Sequence, residues 1–220
     1  MDIPSGLLPA SYSWGAALGY AMLLAAALLR APWAKIRDNE ASHVYFAAAA
    51  MVALLWTLRA GIEPGLNYHL LGITALTLMF DWQFALLAAG LVLAVTTWQG
   101  PAGWEAFGVN VLVMGALPVL ATRLLLAASR RWLPANFFIY IFINSFLAGA
   151  LAMLLCGLAA TLVHGLASGN ATVAGNDYLL YIPMLMFGEA FLNGMTMTLL
   201  VAYKPHWVAT FHDRWYLEGK

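Results

Sequence analysis

The segment Gly65-Leu66-Asn67-Tyr68-His69-Leu70-Leu71-Gly72 sets an imidazole at the mouth of an apolar run, and the chain opens Met1-Asp2-Ile3-Pro4. A neutral imidazole binds a transition metal while its second ring nitrogen is fixed by a neighbour. A free α-amine, with an ordinary pKa of roughly 7.7 to 8.0, gives up its proton to a metal near neutral pH. Asp2 adds a carboxylate and an amide nitrogen beside it. If the two segments meet, Met1, Asp2 and His69 form a set of metal ligands. Taken one at a time they have plainer readings: His69 as a cap on a helix start, Met1-Asp2 as a solvated chain end.

Other polar residues lie inside apolar runs. Glu189 stands in a long apolar stretch with Asn193 one helical turn on, so the two share a face, and Gly188 and Gly194 admit close neighbours. An ionisable group in such a place either lines an ion or proton path or is a hydrogen-bonded structural carboxyl between helices. His164 falls near the end of another apolar run, where it either joins an external site or faces the surface. His43, His206 and His212 fall elsewhere. The one cysteine, Cys156, excludes an intrachain disulfide and a thiolate cage, and reads as helix packing. Met184, Met186, Met195 and Met197 suggest a copper path less than flexible packing. There is no GxxxxGK[ST] phosphate loop, no GxSxG, no HExxH and no pair of carboxylates placed for hydrolysis, so the chain does not read as an enzyme.

The elements that must position these residues follow from composition. With 63% hydrophobic residues and 9% charged, the 220-residue chain carries more apolar surface than a water-soluble core could hide, so its solvent is lipid. A net charge of zero, with no basic cluster interleaved with aromatics, excludes a nucleic-acid partner. The pattern predicts an all-α integral membrane protein of about seven transmembrane helices. They run from about Ser13 to Leu29, His43 to Leu58, His69 to Phe80, Phe84 to Thr97, Phe107 to Ala127, Phe137 to Leu166 and Tyr178 to Tyr203. Gly15 and Gly19 offer a close approach in the first, and Pro183 a kink in the last. Arg59 to Leu66 reads as irregular. The run from Asn67 to Val95 is split at Asp81-Trp82-Gln83, being too long for one crossing. No repeat or linker divides residues 1–220, which read as one transmembrane domain.

Lys and Arg collect on the cytoplasmic side of a membrane protein. Seven crossings with the N-terminus outside and the C-terminus cytoplasmic place Arg30, Lys35, Arg37, Arg123, Arg130, Arg131, Lys204, Arg214 and Lys220 together inside, and leave Arg59 as the tenth, external, basic residue. That bias favours the split at Asp81, and it puts Met1 and His69 on the outer face. The tail from Tyr203 to Lys220, rich in aromatic and basic residues, reads as an interfacial anchor or a docking segment.

His69-Leu70-Leu71-Gly72, followed by Gly108-Val109-Asn110-Val111-Leu112-Val113-Met114-Gly115, resembles the paired signatures of the CbiM/NikM family, the membrane substrate-capture subunits of cobalt and nickel energy-coupling-factor transporters. The opening Met1-Asp2-Ile3-Pro4-Ser5-Gly6-Leu7-Leu8-Pro9 is similar to that family's, and the likeness runs over nearly the whole chain. It implies a metal held by the terminal amine, by residue 2 and by His69. Where the family carries histidine at position 2 this chain has Asp2, a harder ligand that favours a planar nickel site less. Asn110 matches the second signature, which implies a residue that orients the site or the first loops; the alternative is a partner for a neighbouring helix backbone.

The expectation is therefore a multi-pass inner (plasma) membrane protein that takes up a divalent transition metal ion, nickel, cobalt or another. Met1, Asp2 and His69 are its ligands, with Asn110, Glu189, Asn193 and His164 as supporting or ion-path residues. Its partners are the lipid bilayer and, by resemblance, a coupling transmembrane subunit and ATPase subunits. Two alternatives stand beside it: a non-transporting membrane subunit or assembly factor of another complex that kept the fold, and a proton-coupled carrier working through Glu189.

Overall fold

A computed structural model of the chain describes residues 2–63, 66–100, 103–168 and 179–216. Helix α1 (Ala10–Arg30) starts after Pro9 and closes on Arg30, a cation at the negative end of the helix dipole. A short 3₁₀ turn, Trp33–Arg37, leads to α2 (Asn39–Thr57). The Asp38 carboxylate caps α2, accepting the Ala41 N–H at 3.0 Å. Where the sequence suggested an irregular link, strands β1 (Ala60–Glu63) and β2 (Leu66–Tyr68) pair as an antiparallel hairpin. Strands of four and three residues are too short to show the alternating run that announces a strand in sequence.

The central element is α3 (Ile73–Gln99), and it is broken at Asp81, where φ is 70° and ψ 171°. Residues 73–80 form one arm and 82–99 the other. A straight helix of that length would hold its ends roughly 40 Å apart. Here Gly72 packs on Val52 and Leu55, while Gly100, past the other end, packs on Arg59, one turn further along the same stretch of chain. The chain therefore doubles back at Asp81. The interruption at Asp81-Trp82-Gln83 marks a true reversal, although the first arm begins at Ile73 rather than His69 and, at roughly 12 Å, is less than half a bilayer long.

Helix α4 (Trp104–Trp132) and α5 (Phe137–Ala167) follow, each with a stretch of widened π-type turns, Leu112–Ala116 and Tyr140–Leu147. Helix α6 (Ile182–Tyr203) carries Pro183 in its first turn. There the missing N–H costs nothing and the fixed φ suits the helix, so the expected kink is instead a start signal. The close approach on α1 falls between Gly15 and Gly19, and Gly19 faces Leu112 of α4. Gly15 has no neighbour, and it is Gly108 of α4 whose missing Cβ lets it abut the α1 backbone, where an added Cβ would stand 2.6 Å from the Ala17 nitrogen. On α6, an added Cβ on Gly194 would run into the Phe146 ring, so this glycine does admit its neighbour.

Among the described residues, α1, α3, α4, α5 and α6 are long and apolar enough to cross a membrane. Helix α2 falls short because Asn39, Glu40, Ser42 and His43 dilute its first turns. With α3 counted as two arms, seven helical segments alternate between two ends of the bundle. One end gathers Asp2, Arg59, His69, Gly100 and Asn110; the other gathers Arg30, Asp81, Arg123, Arg130 and the tail.

The first arm of α3 is buried along its whole length, from Ile73 to Phe80. Its polar side chains stay inside the protein's own bonding: Thr77 Oγ1 donates to the Ile73 carbonyl at 2.8 Å, and Thr74 and Thr122 share a bond of 3.0 Å. A bilayer leaves such groups no other partners. Both ends of the arm are held from outside the helix. At its start the Glu189 carboxylate accepts the N–H groups of Leu71 and Gly72 at 2.6 and 2.7 Å, and Asn193 Oδ1 accepts that of Ala75 at 2.8 Å. At its far end Thr210 Oγ1 and the Ala209 N–H donate to the carbonyls of Leu78 and Met79, at 2.7 and 2.9 Å. The tail thus folds back onto the bundle, while Tyr203 and Trp215 stay on its surface. Val208, Phe211 and Tyr216 are buried, and Arg130 Nη2 clamps the Thr210 carbonyl at 2.6 Å.

Candidate metal site

The first residues of the chain run into the bundle instead of trailing in solvent. Ile3 is fully buried, and Asn110 of α4 pairs with its backbone in both directions: Oδ1 accepts the Ile3 N–H at 2.8 Å and Nδ2 donates to the Ile3 carbonyl at 3.1 Å. A primary amide presents an acceptor and a donor at the spacing of a peptide edge, which is why Asn suits this place. His164 of α5 is half-buried and hydrogen-bonds the backbone of Asp2. Of the two readings for His164, the structure places it at the chain start rather than on an open surface.

Asp2 and His69 meet. Asp2 is 4% exposed and His69 3%, with Asp2 Oδ1 3.6 Å from His69 Nε2, beyond hydrogen-bond reach. The His69 ring is oriented by two neighbours: Nδ1 lies 3.1 Å from the Leu70 carbonyl, and Trp56 packs against the ring at a centroid distance of 5.0 Å. A carbonyl only accepts, so Nδ1 carries the hydrogen, and in the neutral ring Nε2 then presents its lone pair. That nitrogen is buried without a hydrogen bond and faces the carboxylate. Trp56 is fixed in turn by donating from Nε1 to the Leu71 carbonyl at 2.9 Å.

The other oxygen of Asp2 is taken by a residue the sequence reading left outside the site. Arg59 Nη1 lies 2.5 Å from Asp2 Oδ2, and Arg59 Nε donates to the Trp56 carbonyl at 3.0 Å. The signal was there: Arg59 was the one basic residue on the wrong side of the charge bias, and a carboxylate inside the site is what holds it there. Burial by itself would raise the Asp2 carboxyl. With a proton on Nε2 the His69 ring, and to a lesser degree Arg59, more than reverse this and hold it at about 2 against an ordinary 3.8. Asp2 is an anion at any physiological pH and can receive a cation without first losing a proton.

Met1 lies outside the described residues, so its part in the ligand set has no geometry. Among the described residues no three His, Cys, Asp or Glu side chains cluster to hold a metal. Glu189 and Asn193, both fully buried, stand at the start of α3's first arm; Asn193 Nδ2 bonds Glu189 Oε1 at 2.8 Å, so both carboxylate oxygens are engaged. They touch the site through Leu71 and Gly72, two and three residues past His69, and set where that loop lies.

The chain matches the family described as "Cobalt uptake substrate-specific transmembrane region", CbiM, over residues 2–207. It belongs to the CbiM family. No curated protein sequence matches it. Among solved structures, one described as a truncated transition metal transporter superposes with a TM-score of 0.78 at 17% identity, covering 92% of this chain and 99% of that one. A second, described as a transition metal transporter, gives 0.79 at 17% identity, covering 92% and 93%. At that identity the likeness establishes a shared fold. As a CbiM member the protein is a multi-pass membrane component of metal uptake and not an enzyme.

Proposed function

We propose that this CbiM protein captures a divalent transition metal ion at the outer face of the membrane, as the substrate-binding subunit of an energy-coupling-factor type transporter. The Met1 amine, Asp2 and the His69 Nε2 are the ligands. In this reading the chain crosses seven times, the short first arm of α3 and the non-helical residues ahead of it together making one crossing; the N-terminus is outside, the C-terminal tail is cytoplasmic, and the host bilayer is the inner membrane. The observation that carries the proposal is a buried imidazole nitrogen without a hydrogen bond, facing an ionised carboxylate 3.6 Å away in an anchored chain start. Two donors already face each other there, and the amine adjacent to Asp2 supplies the third.

Asp2 supports a choice of metal within that reading. One carboxylate oxygen with one imidazole and one amine is a mixed, harder donor set that suits tetrahedral or octahedral ions, cobalt or zinc above planar nickel. The family description names cobalt uptake, in line with that preference. Having no phosphate-binding loop, the chain would draw energy from a separate coupling subunit and ATPases.

Calorimetry on the purified protein with Co²⁺, Zn²⁺ and Ni²⁺ tests the site. His69→Ala, and separately a two-residue extension ahead of Met1, should each abolish binding. Unchanged affinity in both would rule the site out. The Arg59 guanidinium on Asp2 favours a second reading, a CbiM-fold subunit that no longer takes up metal; it predicts no binding by the unaltered protein and stable copurification with a different complex. The proton-carrier reading through Glu189 loses ground, because both of its oxygens accept backbone or amide N–H groups.

A further inference from the structure

Asp2 is the one fixed anion in a site proposed for a dication, and a fixed cation already sits on it. Arg59 reaches the carboxylate from the end of α2, held by its own Nε on the Trp56 carbonyl, under Gly100, where an added Cβ would come within 3.5 Å of Nη1. Its side chain is 17% exposed and Asp2 5%, so little water screens the pair. Asp2 and Arg59 together are electrically neutral. A divalent ion placed between Asp2 Oδ1 and His69 Nε2 would leave a guanidinium within a few ångströms of it, and the two cations repel strongly where water is sparse.

We propose that Arg59 is a built-in competitor for the captured metal: its guanidinium occupies Asp2 in the empty protein and must let go of that carboxylate for the ion to bind. This rests on the capture reading and adds to it a determinant of affinity. Arg59 does two opposing things. It holds the Asp2 carboxylate in place beside His69 when no metal is present, and it weakens the metal's hold so that the ion can be surrendered inward. The exchange is one cation for another on the same carboxylate, and the displaced guanidinium, left without its anion beside a dication, is what makes the metal's binding costly.

The test is calorimetric titration of Co²⁺ and Zn²⁺ into purified wild-type protein, Arg59→Gln, Arg59→Lys and His69→Ala. Removing the competing charge should tighten binding about tenfold or more in Arg59→Gln. Lysine keeps the charge and loses the two-point hold on Asp2 and Trp56, so Arg59→Lys should fall between wild type and Arg59→Gln. A residue that merely props up the site would give the opposite sign, so affinity weakened or unchanged in Arg59→Gln overturns the proposal. Where that variant does not fold, the same judgement passes to Arg59→Lys, for which tighter binding supports the proposal and equal or weaker binding overturns it. If His69→Ala abolishes binding while Arg59→Gln fails to tighten it, the competitor is wrong and the capture site stands. If neither wild type nor Arg59→Gln binds metal, both fall together. Binding gained only on loss of Arg59 would show a site kept shut by its own side chain.

Discussion

A single amide, that of Asn110, decides whether the chain start is a ligand or a loose end. Its two bonds to Ile3 are buried, and replacing them with a hydrocarbon strands one N–H and one carbonyl, at about 1 to 3 kcal/mol for each unsatisfied group. Asn110→Leu should therefore free the N-terminal segment: an aminopeptidase should trim the variant faster than wild type, with metal affinity falling at least tenfold. Asn110→Asp keeps the acceptor and loses the donor, and should lie between the two. At this scale the sequence was partly legible. The meeting of the chain start with His69 was expected because metal-binding residue types pointed at it, whereas the motif that singled out Asn110 left two readings open. Arg59 was visible only as an exception to a charge rule. His164 was a candidate with two readings left open, since a histidine near a helix end looks the same whether it meets a backbone or water.

The first arm of α3 is the element on which the site depends, for His69 and Leu70 lead directly into it. Eight residues cannot make a stable helix by themselves, and this arm is maintained by its two foreign caps. Glu189→Gln puts an N–H₂ group where one of two backbone N–H groups now finds oxygen and removes the charge from the other bond, and should lower stability by about 2 to 3 kcal/mol, read as a drop in melting temperature in detergent. A proton carrier would instead lose transport with its fold intact. Thr210→Val should cost about 1 to 2 kcal/mol, because it removes the bond to Leu78 and the partner of Tyr140. The reversal itself has a testable chemistry. A non-glycine residue at φ 70°, ψ 171° is strained, yet Asp81 Oδ1 accepts the Trp82 N–H at 2.8 Å and meets Arg123 at 2.7 Å. Asp81→Gly relieves the strain as it loses those bonds and should fold near wild-type stability. Asp81→Val keeps the strain without the bonds and should lose about 1 to 3 kcal/mol in the same melt. The Asp-Trp-Gln interruption announced this break. The caps were not legible, since Glu189 and Thr210 lie more than a hundred residues downstream of the arm they close.

For the molecule as a whole, composition alone set the solvent and the helical class, because so few charges cannot clothe a water-soluble surface. The two ends of the bundle differ sharply in charge. Among the described residues, Arg30, Arg123 and Arg130 gather at the end with Asp81 and the tail, and Arg59, neutralised by Asp2, stands at the other. A fluorescent protein fused after the tail should light up in the cytoplasm, whereas a reporter active only outside should stay silent there. What composition could not say is that the tail folds back into the bundle, since its aromatic residues suit a membrane interface equally well. That return has a consequence for how the protein is born. Thr210 closes on Leu78 across 132 positions, so the middle arm emerges from the ribosome and enters the bilayer with its carbonyls uncovered. It waits for nearly all the remaining chain to be translated before its far end is closed, and the Glu189 carboxylate that holds Leu71 and Gly72 comes almost as late, so the loop that carries His69 has its full set of supports only when the chain is nearly complete.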